Sequence, residues 1–329
     1  MKRSLIAMAI LAATGTAMAQ SSVNMYGTAD VAVGRMQFGK AGMQTFNVVN
    51  TSNSYLGFKG VEDLGGGLKT GFVLEQGIDL TNGASDTALG GTTFQRAANL
   101  WVGGTWGTVR AGRAYTPSYN AMSAWDLMGR GLNSIAIPTF GAVGGKNDYN
   151  QNSQLSYKTP SLSGFTAEAA YVFKGDNNNQ NKYDLGLIYS NGPLTAGFAY
   201  NKTQSLDASY AFGGQYNFGV FDVAAGYYHS YFHLWDDDAT RQIIQGATGK
   251  KNGITLGGKV RWGAASVALD IARETSAEYV VNNINHDGKT YTNIVVHGRY
   301  ALSKRTFVYA NLLRISDHSS YGLGVRHDF

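Results

Sequence analysis

Apolar and polar side chains alternate one by one along most of this chain. Ala196, Phe198 and Tyr200 follow Leu194 at every second position, with Thr195, Gly197 and Ala199 between them. Tyr183, Leu185, Leu187 and Tyr189 alternate with Asp184, Gly186 and Ile188 in the same way. Ile254, Leu256, Val260 and Trp262 oppose Thr255, Lys259 and Arg261, and Phe165, Ala167, Ala169, Tyr171 and Phe173 oppose Thr166 and Glu168. A period of two puts such residues on opposite faces of a strand, whereas a helix repeats its apolar positions every third or fourth residue.

Sixteen segments of this kind are predicted, from Val23–Met36 and Gln44–Gly60 through Gln154–Lys158, Gly253–Trp262 and Ala265–Arg273 to Ser320–Phe329. Most run about nine to eleven residues, enough to cross a bilayer at a tilt. The connections alternate too. Asn191-Gly192-Pro193, Asn217-Phe218-Gly219, Gly263-Ala264 and Leu302-Ser303-Lys304 are tight, while Asn82–Thr93, Thr116–Asn150, His233–Asn252 and Ser276–Lys289 are long. Short turns at one end and long loops at the other predict an all-β, antiparallel transmembrane barrel. An even strand number lets the last strand pair with the first, so no edge is left open. The competing reading is a soluble β-sandwich. Its core needs bulky inward side chains, but one face here is rich in Gly, Ser and Thr, which suits water.

The first residues belong to neither fold. Lys2 and Arg3 precede the short apolar run Leu5–Ala13, and Ala17-Met18-Ala19 fits a small-x-small cleavage site. Residues 1–19 are therefore expected to be a cleaved signal peptide, leaving 20–329 as one barrel domain. Composition sharpens the picture: 43 glycines and 40 aromatics (20 Tyr, 15 Phe, 5 Trp) in 329 residues, with only 15% charged, argue against disorder. The absence of cysteine excludes disulfide scaffolds, thiolate metal sites and Cys nucleophiles. Removing two bases with the leader leaves 27 − 2 = 25 against 22 acids, a net +3 too mild to point to nucleic acid. No phosphate loop, Gly-x-Ser-x-Gly or His-Glu-x-x-His motif occurs. No catalytic residue, metal or cofactor is predicted. His229 and His233 share a face without an obvious third ligand, and Asp236-Asp237-Asp238 reads as a solvated acidic loop tip.

Four blocks resemble the Gram-negative general porins, especially their β-proteobacterial branch: Val23–Asp30, Leu56–Leu68, Tyr300–Thr306 and Gly324–Phe329. Their order and spacing cover nearly the whole mature chain. The resemblance implies a sixteen-stranded barrel in the outer membrane, a homotrimer, whose third outer loop, about 116–150, folds into the lumen. It also implies lipopolysaccharide as a neighbour and the barrel-assembly machinery as a partner that reads the terminal aromatic Phe329. The implied function is passive diffusion of small hydrophilic solutes and ions. A solute-specific channel for sugars or organic acids is the alternative, and an outer-membrane barrel enzyme is a more distant one.

Gly112–Thr116 resembles the base of the family's constricting loop, and Pro138-Thr139-Phe140-Gly141 resembles its Pro-Glu-Phe-Gly segment with Thr139 in place of the acid. Arg113 matches a basic-wall position of the constriction, and Lys158 stands where the enterobacterial pattern has arginine. Tyr55 replaces another arginine. Arg96 lies two residues from Ala98 and Lys158 two from Ser156, positions often basic in relatives, and a two-residue step keeps the same strand face. Lys59 and Arg110 join the basic side if Leu56, Phe58, Val109 and Ala111 face lipid. Tyr115, Asp126 and Thr139 are the expected loop-side residues, with Asp148, Arg130 and Lys146 also in the loop. With more base than acid at the neck, a mild anion preference is expected.

Overall fold

The structure is a computed structural model that describes residues 22–35, 46–50, 54–85, 92–129, 134–141, 149–177, 179–232, 235–236, 243–244 and 247–329. The predicted leader, His233, Arg130, Lys146, Asp148, Asp237 and Asp238 lie outside these. Sixteen long strands follow one another: β1 (Ser22–Arg35), β2 (Tyr55–Gly65), β3 (Leu68–Gly77), β4 (Ala97–Gly104), β5 (Gly107–Tyr115), β6 (Asn150–Lys158), β7 (Phe165–Val172) and β8 (Lys182–Asn191). The second half comprises β9 (Leu194–Thr203), β10 (Ser209–Asn217), β11 (Phe221–Phe232), β12 (Thr248–Trp262), β13 (Ala265–Val281), β14 (Thr292–Ala301), β15 (Thr306–Ile315) and β16 (His318–Asp328). Each pairs antiparallel with its sequence neighbours. Closure comes from β1, whose Ser22–Thr28 half pairs with β2 while its Thr28–Arg35 half pairs with β16. Every strand thus has two partners and the backbone groups are satisfied within the barrel, as a bilayer demands.

The alternation read from sequence is the alternation of the wall. Leu100, Leu256 and Leu323 are 61%, 55% and 69% exposed on the outer face, while Asp184, Glu168 and Thr255 are buried on the inner one. Rings cluster on the outer face near the short-turn end, with Trp106 stacked on Tyr157 at 6.3 Å and Phe165 against Tyr189 at 4.6 Å. Such a girdle belongs at a membrane interface. The β2–β3 turn runs through Gly65, Gly66 and Gly67 at φ 82°, 61° and 80°, a left-handed run that side chains resist.

Three expectations change. The segment Gln44–Gly60 is not one strand: a short piece, Asn47–Val49, pairs with Ala32–Gly34, and β2 starts at Tyr55. β6 begins at Asn150, four residues before Gln154. The loops placed at His233–Asn252 and Ser276–Lys289 are partly strand, because β12 and β13 run on together as a ribbon and Ile284–Asp287 folds back on β13. Lys250–Glu278 and Lys251–Glu274 pairs, each 3.0 Å, bridge that ribbon.

Facing has a direct check. Cysteines at Lys59, Lys158 and Lys259 are expected to react with a membrane-impermeant thiol reagent, and cysteines at Leu185, Phe198 and Leu256 are not. Equal reaction of both sets would overturn the wall assignment. Asp184 and Gly197 also face inward, but the inner loop covers them.

Candidate functional site

The long connection after β5 turns back onto the inner wall. Thr116 caps the short helix α1 (Pro117–Met122), accepting the Tyr119 N–H at 3.3 Å, and Pro117 occupies its first turn, where a missing N–H costs nothing. Asp184 on β8 then fastens the helix, accepting the Ser118 N–H at 2.6 Å and the Ser118 hydroxyl at 2.8 Å. Beyond α1, Trp125 is buried and donates its indole N–H to the Tyr228 hydroxyl at 2.6 Å. A second helix, α2 (Ala136–Phe140), lays Phe140 on Tyr228 with ring centres 4.6 Å apart.

Wall strands β9–β15 receive this loop with small residues. A Cβ at Gly197 or Gly213 would stand 2.8 or 2.7 Å from the Trp125 ring, and Gly226 and Gly253 yield in the same way to Trp125 and Phe140. Ala199, Ala211, Ala224 and Ala272 complete the seat. The main apolar core among the described residues is therefore not inside the wall but between loop and wall. The small inward residues that suggested a lumen lined for water serve, on this side, to admit the loop.

The predicted basic residues fall into separate groups. Arg96 is buried: its Nε lies 3.3 Å from Glu75, it donates to the Tyr115 hydroxyl at 2.8 Å, and its guanidinium covers the Tyr55 ring at 4.2 Å. Tyr26 donates to the other Glu75 oxygen at 2.7 Å, and Lys59 sits over the Tyr26 ring at 4.6 Å. Tyr115 itself stacks on Tyr119 at 5.1 Å, so it joins the wall cluster to the loop. Arg110 is ion-paired with Glu168, which also accepts the Ser156 hydroxyl at 3.0 Å. Lys158 is exposed beside them in a lumenal cavity of about 470 Å³ that Trp101, Asn99 and Asn120 also line. Arg113 stands in a bulge, where Gly112 at φ 118° shifts the β5–β6 register. It donates to the Gln95 carbonyl and, at 2.5 Å, to Asn152 Oδ1, with no ion pair to a described carboxylate.

Loop-side residues divide as well. Asp126 is half-buried and accepts the Met128 N–H at 2.9 Å. Thr139 does not face the opening. It is buried, donates to the Ile135 carbonyl at 2.7 Å and accepts Asn293 Nδ2 at 2.8 Å, so its side chain holds α2 to the wall. Glu75, Glu168 and Asp184 were missed as site residues. Cross-strand register is the signal that finds two of them: Glu168 lies directly opposite Lys158, and Glu75 lies opposite Ala97, the residue after Arg96.

A closed barrel narrowed from within by a packed loop, with charged side chains along the remaining wall, defines a membrane channel. The chain matches the family described as Gram-negative porin over residues 5–320, and it belongs to that family. Outer membrane porin protein 32 of Delftia acidovorans is 33% identical over 98% of this chain and 92% of its own length. An outer membrane porin of Bordetella pertussis is 29% identical over 69% of each chain. The solved anion-selective porin from Comamonas acidovorans superposes with a TM-score of 0.72 at 25% identity, covering 94% of this chain and all of that one. Family and fold place the protein in the outer membrane and point to a channel rather than an enzyme.

Proposed function

We propose that the protein is a passive diffusion pore for small hydrophilic solutes and ions with a mild preference for anions, assembled as a homotrimer among outer-membrane lipid and lipopolysaccharide. The observation that carries the anion preference is the pairing pattern of the wall. Glu75 and Glu168 are taken up by Arg96 and Arg110, whereas Lys59, Lys158 and Arg113 have no ion pair among the described residues. A salt bridge cancels most of its own field beyond a few ångströms, so the unpaired cations set the sign in the lumen. The anion-selective relative supports the same sign. The terminal Phe329 supports the assembly role proposed for it. Its backbone pairs with Gly27 at 3.0 and 3.1 Å and its ring lies on the outer face beside Gly27, at the seam that closes the barrel.

In a planar bilayer with a salt gradient, the zero-current potential is expected on the anion side and to shrink as salt shortens the screening length from about 10 Å at 0.1 M to about 3 Å at 1 M. Replacing Arg113 and Lys158 together by Gln moves it toward the cation side. A cation-selective wild type, or no movement in the pair, would sink the reading. A solute-specific channel is the second reading, favoured by Trp101 beside Arg110, Glu168, Asn99 and Asn120 in one cavity. Saturable block of the ion current by a sugar would establish it.

A further inference from the structure

A second group of inward cations stands on β12, β14 and β16, away from the strands that carry the predicted basic wall. Lys259 pairs across β13 Ala268 with His297, and Arg299 lies between Ser266 and Tyr309, two residues further along β14. Arg326 on β16 is opposite Phe307 on one side and Asp30 on the other. These side chains line a cavity of about 240 Å³, and Leu127, Met128 and Gly129 of the inner loop form its other side.

The carboxylates of the wall around the cavity are engaged there, while Asp126 of the inner loop accepts the Met128 N–H and also attracts Lys259 from the loop side. Asp328 accepts the Thr28 hydroxyl at 2.7 Å and Arg326 at 3.0 Å. Asp30 accepts the Tyr309 hydroxyl. Asp222, directly across from Lys259, is held by Arg261, with one contact at 2.9 Å. Lys259 and Arg299 have no ion pair among the described residues. Arg299 instead lies over the Phe307 ring at 3.7 Å. Stacking uses the face of a guanidinium and leaves its N–H edge to other partners. Two cations facing one small space repel each other, and an anion between them turns that repulsion into attraction on both sides.

We propose that this cavity is a docking station for a small oxyanion, held by the Lys259 ammonium and the edge of Arg299 on its way through the pore. The volume equals about eight water molecules at the ~30 Å³ each takes in the liquid, which suits an anion of a few heavy atoms with part of its hydration. The proposal rests on the anion-preferring reading and adds to it a saturable site, where a diffuse field alone would give none.

The test uses the full-length protein in a planar bilayer, with inorganic phosphate added to a chloride electrolyte. Chloride current through the wild type is expected to fall saturably with phosphate. In the Lys259→Gln/Arg299→Gln pair the half-blocking concentration is expected to rise at least about tenfold, the cost of a lost charge-assisted hydrogen bond. Lys59→Gln/Lys158→Gln removes the same charge from another wall; it is expected to move the zero-current potential and leave the half-blocking concentration nearly unchanged. If the first pair does not assemble, Lys259→Gln alone carries the comparison. A linear phosphate effect in the wild type, or an equal rise in both pairs, overturns the station while leaving an anion-side zero-current potential intact. A cation-selective wild type overturns the reading beneath it.

Discussion

Replacing Trp125 by Ala is expected to release the inner loop, raising single-channel conductance and weakening selectivity, while the barrel still assembles. Trp125 is 2% exposed, and three glycines of the wall leave room for its ring. Truncating a buried aromatic of this kind costs about 3–5 kcal/mol. The attachment at Asp184 acts elsewhere on the loop. The Ser118–Asp184 pair of bonds is worth about 1.5–3 kcal/mol per charged contact, and it holds only the first turn of the loop. Tyr228→Phe gives the graded comparison. It keeps the stacking on Phe140 but leaves the Trp125 indole N–H without its acceptor, a loss of about 1–3 kcal/mol, so its effect on conductance should be intermediate. Barrel closure does not depend on this core, because the strand ladder is continuous through β1 and β16. Heat-modifiable migration should therefore survive in both variants. Wild-type conductance in Trp125→Ala would show that the loop is held by something other than this seat.

The wall was legible from sequence and the loop seat was not, for one physical reason. Lipid on one side and water on the other force a residue-by-residue alternation that needs no knowledge of partners. That is why Tyr183 to Tyr189 and Ile254 to Trp262 read correctly. Where both faces of a strand meet water, the constraint disappears. The Lys250–Glu278 ribbon carries charge on its faces and so read as loop, although its backbone pairs as regularly as the wall. Charge pairing was hidden for a related reason. Arg96 and Glu75 are 21 positions apart, and whether they meet depends on the register of β3 against β4, which alternation alone does not fix. The Gly-, Ser- and Thr-rich face was read as suiting water, and only the loop folded against Gly197, Gly213 and Gly226 reveals what their size is for.

Thr139→Glu separates the two views of the loop most sharply. Matching the Pro-Thr-Phe-Gly segment to its acidic counterpart puts residue 139 at the opening, where a carboxylate would simply draw the zero-current potential toward cations. The structure puts it under α2, 2% exposed, between the Ile135 carbonyl and Asn293. Asn293 is itself committed, accepting the Ser316 N–H at 2.6 Å, so it cannot turn to serve a larger acid. A glutamate there either stays ionised without a cation or takes a proton, and both cost several kcal/mol in a buried site. The expected result is that α2 lifts from the wall, Phe140 leaves Tyr228, and conductance rises in a step resembling that of Trp125→Ala. Thr139→Val, which keeps the shape and removes the hydroxyl, should cost only about 1–3 kcal/mol through the Asn293 amide left without its acceptor. Conductance and zero-current potential measured on the same channels decide between the views. A cation-ward shift at unchanged conductance would return residue 139 to the opening, whereas a conductance rise in Thr139→Glu much larger than in Thr139→Val identifies it as the pin that holds α2 against β14.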